Sequence, residues 1–180
     1  IESMTNSMNI MDQLFNMKEY REHLIERENI QTIMLGFSDG TKDGGYLQAN
    51  WSIFKTKEIL SDLCKKHEVD AIFFDGRGGP PARGGGKTHR FYASQSDRIA
   101  NNALQMTIQG QTITSKFGTK EHFIHNSEQL LTAGLSQLLF NSKNKISENS
   151  RGLIEELAKL SHDKYNSLKN HKMFIPYLEN

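Results

Sequence analysis

The stretch from Phe73 to Arg90 combines residue types that bind small anions. Its glycines let the backbone bend sharply and let N–H groups approach a ligand closely. Arg77 and Arg83 add planar forks of donors that match phosphate or carboxylate oxygens. We interpret the stretch as an anion cradle at the end of a strand. The alternative is a glycine-rich connection whose arginines are simply solvated.

A second candidate site is the charged segment from Asp39 to Asp43, D-G-T-K-D. An acid and a lysine three residues apart at a strand end can serve a hard metal ion and an anion side by side, since carboxylates suit Mg²⁺ or Mn²⁺. The alternative is a helix start, at which Asp43 caps the helix and Asp39 shapes the preceding turn. The spacing of these residues leaves both interpretations open.

Other common chemical motifs do not fit. The segment Gly86-Lys87-Thr88 resembles the end of a Walker A loop, but Pro81 stands where that motif needs a glycine. A kinase-like nucleotide binder is therefore disfavoured. No His/Cys set has zinc spacing and no G-x-S-x-G elbow is present. His89 could touch an anion, whereas the histidines in helical or linker contexts are predicted to be solvated: His122, His125, His162 and His171.

The two candidate loops follow two predicted strands. The apolar runs Ile30–Phe37 and Val69–Phe74 are typical of buried parallel strands. Between them, Tyr46–His67 has helical periodicity, with its apolar side formed by Ala49, Ile53, Leu60 and Leu63 and its solvated side by Lys55, Lys57, Lys65 and Lys66. This order predicts a βαβ unit with both loops at the carboxyl ends of strands, where parallel α/β folds bind ligands.

The remaining segments extend this α/β pattern. Residues 1–30 favour helices, and we predict a short helix over Asp97–Asn102 and a third strand around Gln105–Gly110. Helices are predicted over Glu121–Phe140 and Arg151–Leu168, followed by a short apolar end, Met173–Leu178, that Pro176 breaks. Because a closed barrel takes about 250 residues, we expect either a small open α/β domain or part of a barrel. The abrupt start at Ile1 suggests a cut inside something larger.

Composition limits the classes of partner. The chain has 180 residues, 36% hydrophobic and 24% charged, with a formal net charge of +1. That small charge gives no overall field to attract nucleic acid or an anionic membrane. The single cysteine, Cys64, favours a reducing compartment and is expected to be packed in the core. With neither a spanning apolar run nor a signal peptide, we expect a cytoplasmic protein.

Several segments resemble the phosphoenolpyruvate carboxylase family. Residues 36–45, G-F-S-D-G-T-K-D-G-G, are similar to its G-Y-S-D-S-x-K-D-A-G signature. Residues 74–89, F-D-G-R-G-G-P-P-A-R-G-G-G-K-T-H, are similar to F-H-G-R-G-G-x-x-x-R-G-G-G-P-x-H. Weaker matches are T-I-Q-G-Q at 107–111 and F-I-P-Y-L at 174–178. The resemblance covers nearly the whole chain and implies a fragment, residues 1–180, of a (β/α)₈ catalytic barrel.

The resemblance also implies a reaction and its residues. The family carboxylates phosphoenolpyruvate with bicarbonate, through carboxyphosphate and the pyruvate enolate, to give oxaloacetate and phosphate. Lys42, Arg77 and Arg83 would be catalytic, and the segment Gly84, Gly85 and Gly86 would bind substrate together with Arg77. Ile1-Glu2-Ser3 resembles the end of a P-L-F-E-T segment, so that Glu2 and Asp39 would bind Mg²⁺ or Mn²⁺. The full-length protein would be a homotetramer.

Departures from the family pattern indicate a divergent bacterial-type branch. Asp75 stands where the motif has His, Pro80-Pro81-Ala82 replaces the usual Thr and small residues, and Lys87 replaces Pro. We expect Asp75 to be a different tether for Arg77. The isolated 180 residues are expected to be inactive, because groups from other parts of the enzyme are missing. The alternative function is a non-enzymatic module that binds phosphate or other anions without metal.

Overall fold

The computed structural model describes residues 1–77, 87–140 and 145–179. Within these ranges the strands are β1 (Ile30–Leu35), β2 (Asp70–Asp75) and β3 (Leu104–Met106). The helices there are α1 (Glu2–Thr5), α2 (Ser7–Asn16), α3 (Lys18–Glu26), α4 (Phe37–Gly44), α5 (Tyr46–Lys66), α6 (Thr88–Ala93), α7 (Gln111–Phe117), α8 (Lys120–Phe140), α9 (Glu148–Lys169) and α10 (Phe174–Glu179). None of these helices is long and apolar enough to cross a membrane.

The strands form one parallel sheet in the order β1-β2-β3. Leu35 pairs in register with Asp75, and Asp75 pairs with Met106, so all three strands end at the same edge. The predicted βαβ unit is confirmed, with α5 as its crossover helix. The fold class is α/β with parallel strands and long additional helices, as expected.

The segment predicted as a charged loop after β1 is instead helix α4. Its glycines lie close to neighbouring side chains: a Cβ on Gly44 would lie 2.7 Å from Ile1 Cγ1, and one on Gly40 would lie 3.4 Å from the Ala49 methyl. Gly45, with φ of 79°, ends α4 in the left-handed region and starts α5 directly. It also occupies the N-cap of α5, so the alternative that Asp43 caps this helix is wrong.

Three shorter elements differ from the prediction. The helix expected over Asp97–Asn102 is irregular, because the Ser96 hydroxyl accepts from the Arg98 N–H at 3.2 Å and stabilises a turn instead. A helix occurs earlier, as α6. The third strand ends at Met106, because Gly110 (φ 57°) leads into α7 within a stretch that alternates like a strand. Pro176 does not break α10, since it lies in the first turn, where no intrahelical N–H bond is lost.

The core lies between α5 and the sheet. It joins α5 side chains to those of the strands and of α2 and α3: Phe15, Leu24, Leu35, Phe37, Ile53, Leu60, Leu63, Cys64, Val69, Ala71, Phe73 and Ile99. Cys64 is packed in this core, as predicted, and its burial raises the pKa of the thiol to about 11. The thiol is therefore protonated and inert at neutral pH.

Helix α9 is fastened to α5 by ion pairs. The two terminal nitrogens of Arg151 donate to the two carboxylate oxygens of Glu58, each at 2.8 Å. Lys55 Nζ and Trp51 Nε1 both donate to Glu155, at 2.6 Å to Oε2. Burial alone would raise the pKa of Glu58, but hydrogen bonds from Arg151 and Ser96 and the nearby guanidinium charges hold it below its ordinary value.

Removing the Arg151 side chain should loosen this attachment. Arg151→Ala is expected to lower the free energy of unfolding by about 2 kcal/mol, because Glu58 stays buried and loses its bidentate partner, keeping the Ser96 hydrogen bond and the longer contact to Arg98 at 3.7 Å. Because the pKa of Glu58 is lower folded than unfolded, its contribution is present above the unfolded pKa and is lost as the pH falls through the folded pKa. Thermal melting at about pH 7 and about pH 3 should therefore show a larger loss at the higher pH. Lys159→Ala, on the exposed side of α9, is the control, and an equal loss in both variants would contradict this account.

Candidate active site

The candidate site lies at the edge where the three strands end. Gly76 follows β2 and its N–H donates to the Leu35 carbonyl at 2.9 Å, which holds the ends of β1 and β2 side by side. A Cβ on Gly76 would lie 3.1 Å from that carbonyl oxygen, so this close approach favours glycine. Arg77 thus leaves the sheet beside the start of α4.

Arg77 is supported by aromatic rings. Its guanidinium carbon lies 4.0 Å from the Phe91 ring centroid and 5.6 Å from that of Phe37, both distances at which a cation is attracted to a ring face. Burial lowers the pKa of Arg77, and Tyr46, Tyr92 and Asp75 oppose that change. A guanidinium stays protonated under these conditions. Stacking leaves the edge of the fork able to donate hydrogen bonds, and the anion-binding role of Arg77 stays a prediction.

Asp39 and Lys42 lie one turn apart on α4. Lys42 Nζ is 3.8 Å from Asp39 Oδ1, and the side chains are 77% and 88% exposed respectively. An exposed pair of this length contributes little to stability. Breaking this ion pair would therefore cost little stability. Asp39 would then be free to bind a metal ion and Lys42 to bind an anion.

Helix α9 holds the end of α4 that carries Lys42. Tyr165 donates its hydroxyl proton to the Lys42 carbonyl at 2.8 Å, and Lys169 Nζ donates to the Asp43 carbonyl at 3.2 Å. His162 Nδ1 lies 3.1 Å from the Gly44 carbonyl, so the prediction that this histidine is merely solvated is wrong. Carbonyls of the last turn of α4 are thus satisfied by side chains from a distant part of the chain.

The two proposed metal ligands lie on adjacent helices. Glu2 begins α1, and α1 packs beside α4, where the Met4 methyl lies 3.6 Å from a Cβ built on Gly40. Glu2 and Asp39 are both exposed. Across the described ranges, no group of three or more His, Cys, Asp or Glu side chains could hold a metal ion. Two carboxylates nevertheless fit Mg²⁺ or Mn²⁺ in donor chemistry, because Mg²⁺ commonly binds through one or two carboxylates, waters and substrate oxygens.

A buried ion pair lies next to Arg77. Asp75 is 0% exposed and Lys57 is 3% exposed, and Lys57 Nζ lies 2.7 Å from Asp75 Oδ2. The Tyr92 hydroxyl donates to the same oxygen at 2.9 Å. Burial lowers the pKa of Lys57 while Asp75 opposes that change, and burial followed by the Asp75 charge raises the pKa of Tyr92. Tyr92 is therefore a protonated donor throughout the physiological range.

These contacts correct two predictions. Lys57 is not on the solvated side of α5, and Asp75 directs its carboxylate to Lys57 and Tyr92, while the Arg77 backbone N–H donates to the Asp75 carbonyl at 2.8 Å. The helical spacing does indicate that Lys57 is buried. It lies four residues after Ile53 and three before Leu60, both 1% exposed, which places it on the buried face.

Lys116 is a further cation near the site that the sequence did not indicate. Burial, followed by the charge of Arg77, lowers the pKa of Lys116, so the two side chains are close enough to repel each other. Lys116 Nζ also lies 3.5 Å from the Thr88 hydroxyl at the start of α6. The sheet edge therefore carries more positive charge than Arg77 alone supplies.

A large cavity bounded by described residues lies elsewhere. It encloses about 900 Å³ and is lined by residues at the starts of β1 and β2, including Ile30 and Asp70, together with Arg98 and Arg151. Of the predicted site residues that the structure describes, Glu2, Asp39, Lys42 and Arg77, none lines it. The predicted residues Arg83, Gly84, Gly85 and Gly86 lie outside the described residues, so their roles stay predictions.

Comparison with known proteins identifies the family. A sequence model described as phosphoenolpyruvate carboxylase matches residues 1–180. The chain belongs to the phosphoenolpyruvate carboxylase family. The phosphoenolpyruvate carboxylase of Corynebacterium glutamicum is 34% identical over 180 residues, which is 98% of this chain and 20% of that protein. Those of Marinomonas sp. and Mycobacterium leprae are 33% and 32% identical over 178 and 181 residues, covering 98% and 99% of this chain.

The predicted family membership is therefore confirmed. The chain spans only about a fifth of the length of these relatives, which is 20% in Corynebacterium glutamicum and 19% in Mycobacterium leprae. The first carboxylase-like motif follows β1, and the described start of the second motif, residues 74–77, lies at the end of β2. Within the described part of the chain, they bring Asp39, Lys42 and Arg77 to this edge of the sheet.

Proposed function

We propose that this chain is the part of a phosphoenolpyruvate carboxylase that carries Asp39, Lys42 and Arg77. The whole enzyme would carboxylate phosphoenolpyruvate with bicarbonate and release oxaloacetate and phosphate, an anaplerotic fixation of carbon. The observation that carries this proposal is the position of Arg77. It stacks on Phe91 at the sheet edge beside α4, in a chain that matches the family along its whole length.

The side chains suit the charges that this reaction moves. When a bicarbonate oxygen attacks phosphorus, the bond to the enol oxygen breaks, so negative charge grows on the phosphoryl and enol oxygens. Arg77 would donate two parallel hydrogen bonds to phosphate oxygens from a fork held by aromatic rings, and its orientation would need little change during reaction. Lys42 would add a flexible point charge from the end of α4. Arg83 and the glycines Gly84–Gly86 would complete the cradle and exclude water.

Glu2 and Asp39 would hold a divalent ion, Mg²⁺ or Mn²⁺. When bound, the ion would act as a Lewis acid that stabilises negative charge on the enolate oxygen. The chain's own contribution is to supply two exposed carboxylates on α1 and α4. The fastening of α4 by Tyr165, described above, would hold Asp39 in a fixed place relative to Arg77.

Neutralising Asp39 should weaken metal binding. Asp39→Asn in the full-length protein is expected to weaken Mn²⁺ binding by about tenfold or more, because a carboxylate binds a hard cation much better than an amide does. Titration with Mn²⁺, followed by its paramagnetic resonance signal, measures this directly without relying on activity. Asp163→Asn, at an exposed position on α9, is the matched control. Unchanged Mn²⁺ affinity in Asp39→Asn would show that Asp39 is not a metal ligand.

The architecture supports a place inside a larger barrel. Strands that neighbour in sequence also neighbour in the sheet, as in a singly wound barrel. Exposed leucines on α8 and α9, such as Leu131 (66%) and Leu153 (59%), form surfaces that further parts of the enzyme would cover. A partial (β/α)₈ barrel, a homotetramer, a cytoplasmic location and the lack of nucleic-acid or membrane partners stay predictions.

One experiment separates this function from metal-independent anion binding. The full-length protein is titrated with phosphoenolpyruvate by calorimetry, with and without Mn²⁺, and oxaloacetate is assayed in the same samples. A carboxylase should require the metal for turnover and should bind its substrate more tightly with it. Tight binding that is indifferent to Mn²⁺, with no oxaloacetate formed, would favour a simple anion-binding module. The isolated 180 residues should form no oxaloacetate under either condition.

A further inference from the structure

Two cations share one aromatic ring at the end of β2. The Phe91 centroid lies 4.0 Å from the Arg77 guanidinium carbon and 5.4 Å from Lys57 Nζ. Lys57 Nζ also lies 5.2 Å from the Phe73 centroid and 5.9 Å from that of Tyr92. Burial and the charge of Arg77 both lower the pKa of Lys57, so the two cations repel each other and the arrangement needs a compensating anion.

Asp75 supplies that anion from inside the protein. Its Oδ2 accepts from both Lys57 and Tyr92, while within the described ranges Oδ1 of Asp75 and Nε of Arg77 have no hydrogen-bond partner. The bond from Tyr92 also fastens α6 to the end of β2. Phe91 is the residue before Tyr92 on α6, so this bond fixes the ring against which Arg77 stacks.

We propose that Asp75, with Lys57 and Tyr92, positions Arg77 for the substrate anion. Asp75 neutralises the charge of Lys57, so that Arg77 is not repelled from the Phe91 ring, and it anchors the helix that presents this ring. Asp75 stands where the family motif has His, so a buried ion pair carries out the positioning in this chain. The inference rests on the proposed function, because the anion meant is phosphoenolpyruvate.

The test uses charge removal at both ends of the pair in the full-length protein. Asp75→Asn leaves Lys57 without its buried counter-ion but keeps an oxygen for Tyr92. Lys57→Met together with Asp75→Asn removes both charges and preserves much of the packed volume. Lys65→Met, on the exposed face of the same helix, is the control. Steady-state kcat and KM for phosphoenolpyruvate are measured for each, normalised to the folded fraction.

Positioning and mere stability give different results. We expect Asp75→Asn to raise KM about tenfold and the double variant to return to within about threefold of the wild type, since a lost charge-assisted contact is worth about one order of magnitude. If KM stays unchanged in Asp75→Asn while only the folded fraction falls, the pair is purely structural and the inference is wrong. A double variant no better than Asp75→Asn would also overturn it.

A milder variant covers the case in which Asp75→Asn does not fold. Tyr92→Phe removes one hydroxyl and keeps the ring, and it should raise KM severalfold with a small change in melting temperature. An unchanged KM in Tyr92→Phe would contradict the anchoring role. If the wild-type protein forms no oxaloacetate, the proposed function is wrong. If the wild type is active and the variants keep its KM, only this inference is wrong.

Discussion

Replacing Arg77 by alanine in the full-length protein is expected to reduce oxaloacetate formation by about 100-fold or more, the size typical of losing a preorganised donor to developing charge. The guanidinium is stacked on Phe91 at 4.0 Å and points from the end of β2, so nothing else in the described part of β2 can take its place. Steady-state assays of the purified variant measure the loss.

Two further variants make the Arg77 result specific. Arg77→Lys keeps the charge but loses the planar fork and the stacking, so its activity should lie well below the wild type and above that of Arg77→Ala. Arg27→Ala, at an exposed position just before β1, should be as active as the wild type. Full activity in Arg77→Ala would refute the role assigned to this arginine.

Replacing Lys42 by alanine should reduce activity by about 10-fold to 100-fold with almost no effect on folding. The side chain is 77% exposed and only loosely paired with Asp39 at 3.8 Å, so its removal costs little stability. Its charge would nevertheless be missing where phosphate and bicarbonate meet. Kinetic assays and thermal melting on the same preparation separate these two effects.

Lys18→Ala is a closely matched control for Lys42→Ala. Lys18 is 84% exposed and makes a similar loose pair with Glu22, at 3.9 Å within one helix, but it lies on α3. Loss of activity in Lys42→Ala alone, with equal melting temperatures, is the expected outcome. Wild-type activity in Lys42→Ala would refute the assigned role, and a large drop in its melting temperature would show that the residue is structural.

Periodicity predicted the parts of the fold that depend on local pattern. The strands β1 and β2 and the helices α5, α8 and α9 could be predicted because their apolar spacing reflects one buried face. Helix α4 was missed because its glycines were interpreted as loop formers. In α4, Gly44 instead lies close to Ile1 and Gly40 lies close to Ala49, and these are tertiary contacts. Composition does not reveal such contacts.

In the candidate site, too, features set by local sequence could be predicted and features set by tertiary contacts could not. The motifs predict Asp39, Lys42 and Arg77 as candidate site residues, since their residue types and order are specific. Asp75 was expected to tether Arg77, but its partners Lys57 and Tyr92 could not be predicted, because they lie 18 and 17 residues away and are joined to it only by the fold. The same is true of the bond from Tyr165 to the Lys42 carbonyl, which spans 123 residues. Long-range hydrogen bonds of this kind leave no local pattern.

The contacts of Asp75 show how this chain accommodates a buried carboxylate at a motif position. A carboxylate that is 0% exposed would be costly alone, but Lys57 and Tyr92 provide a cation and a hydroxyl donor within 3 Å, at 2.7 Å and 2.9 Å. The substitution is therefore compatible with a supported Arg77. Asp75 in place of His therefore does not conflict with the proposed function.

The most direct test of the central claim is an assay of oxaloacetate formation by the full-length protein. The reaction contains phosphoenolpyruvate, bicarbonate and Mg²⁺, and oxaloacetate is measured through its reduction by malate dehydrogenase. We predict turnover that depends on both substrates and on the metal, with release of one phosphate for each oxaloacetate. A folded, metal-loaded protein that binds phosphoenolpyruvate but forms no oxaloacetate would contradict the proposed carboxylase function.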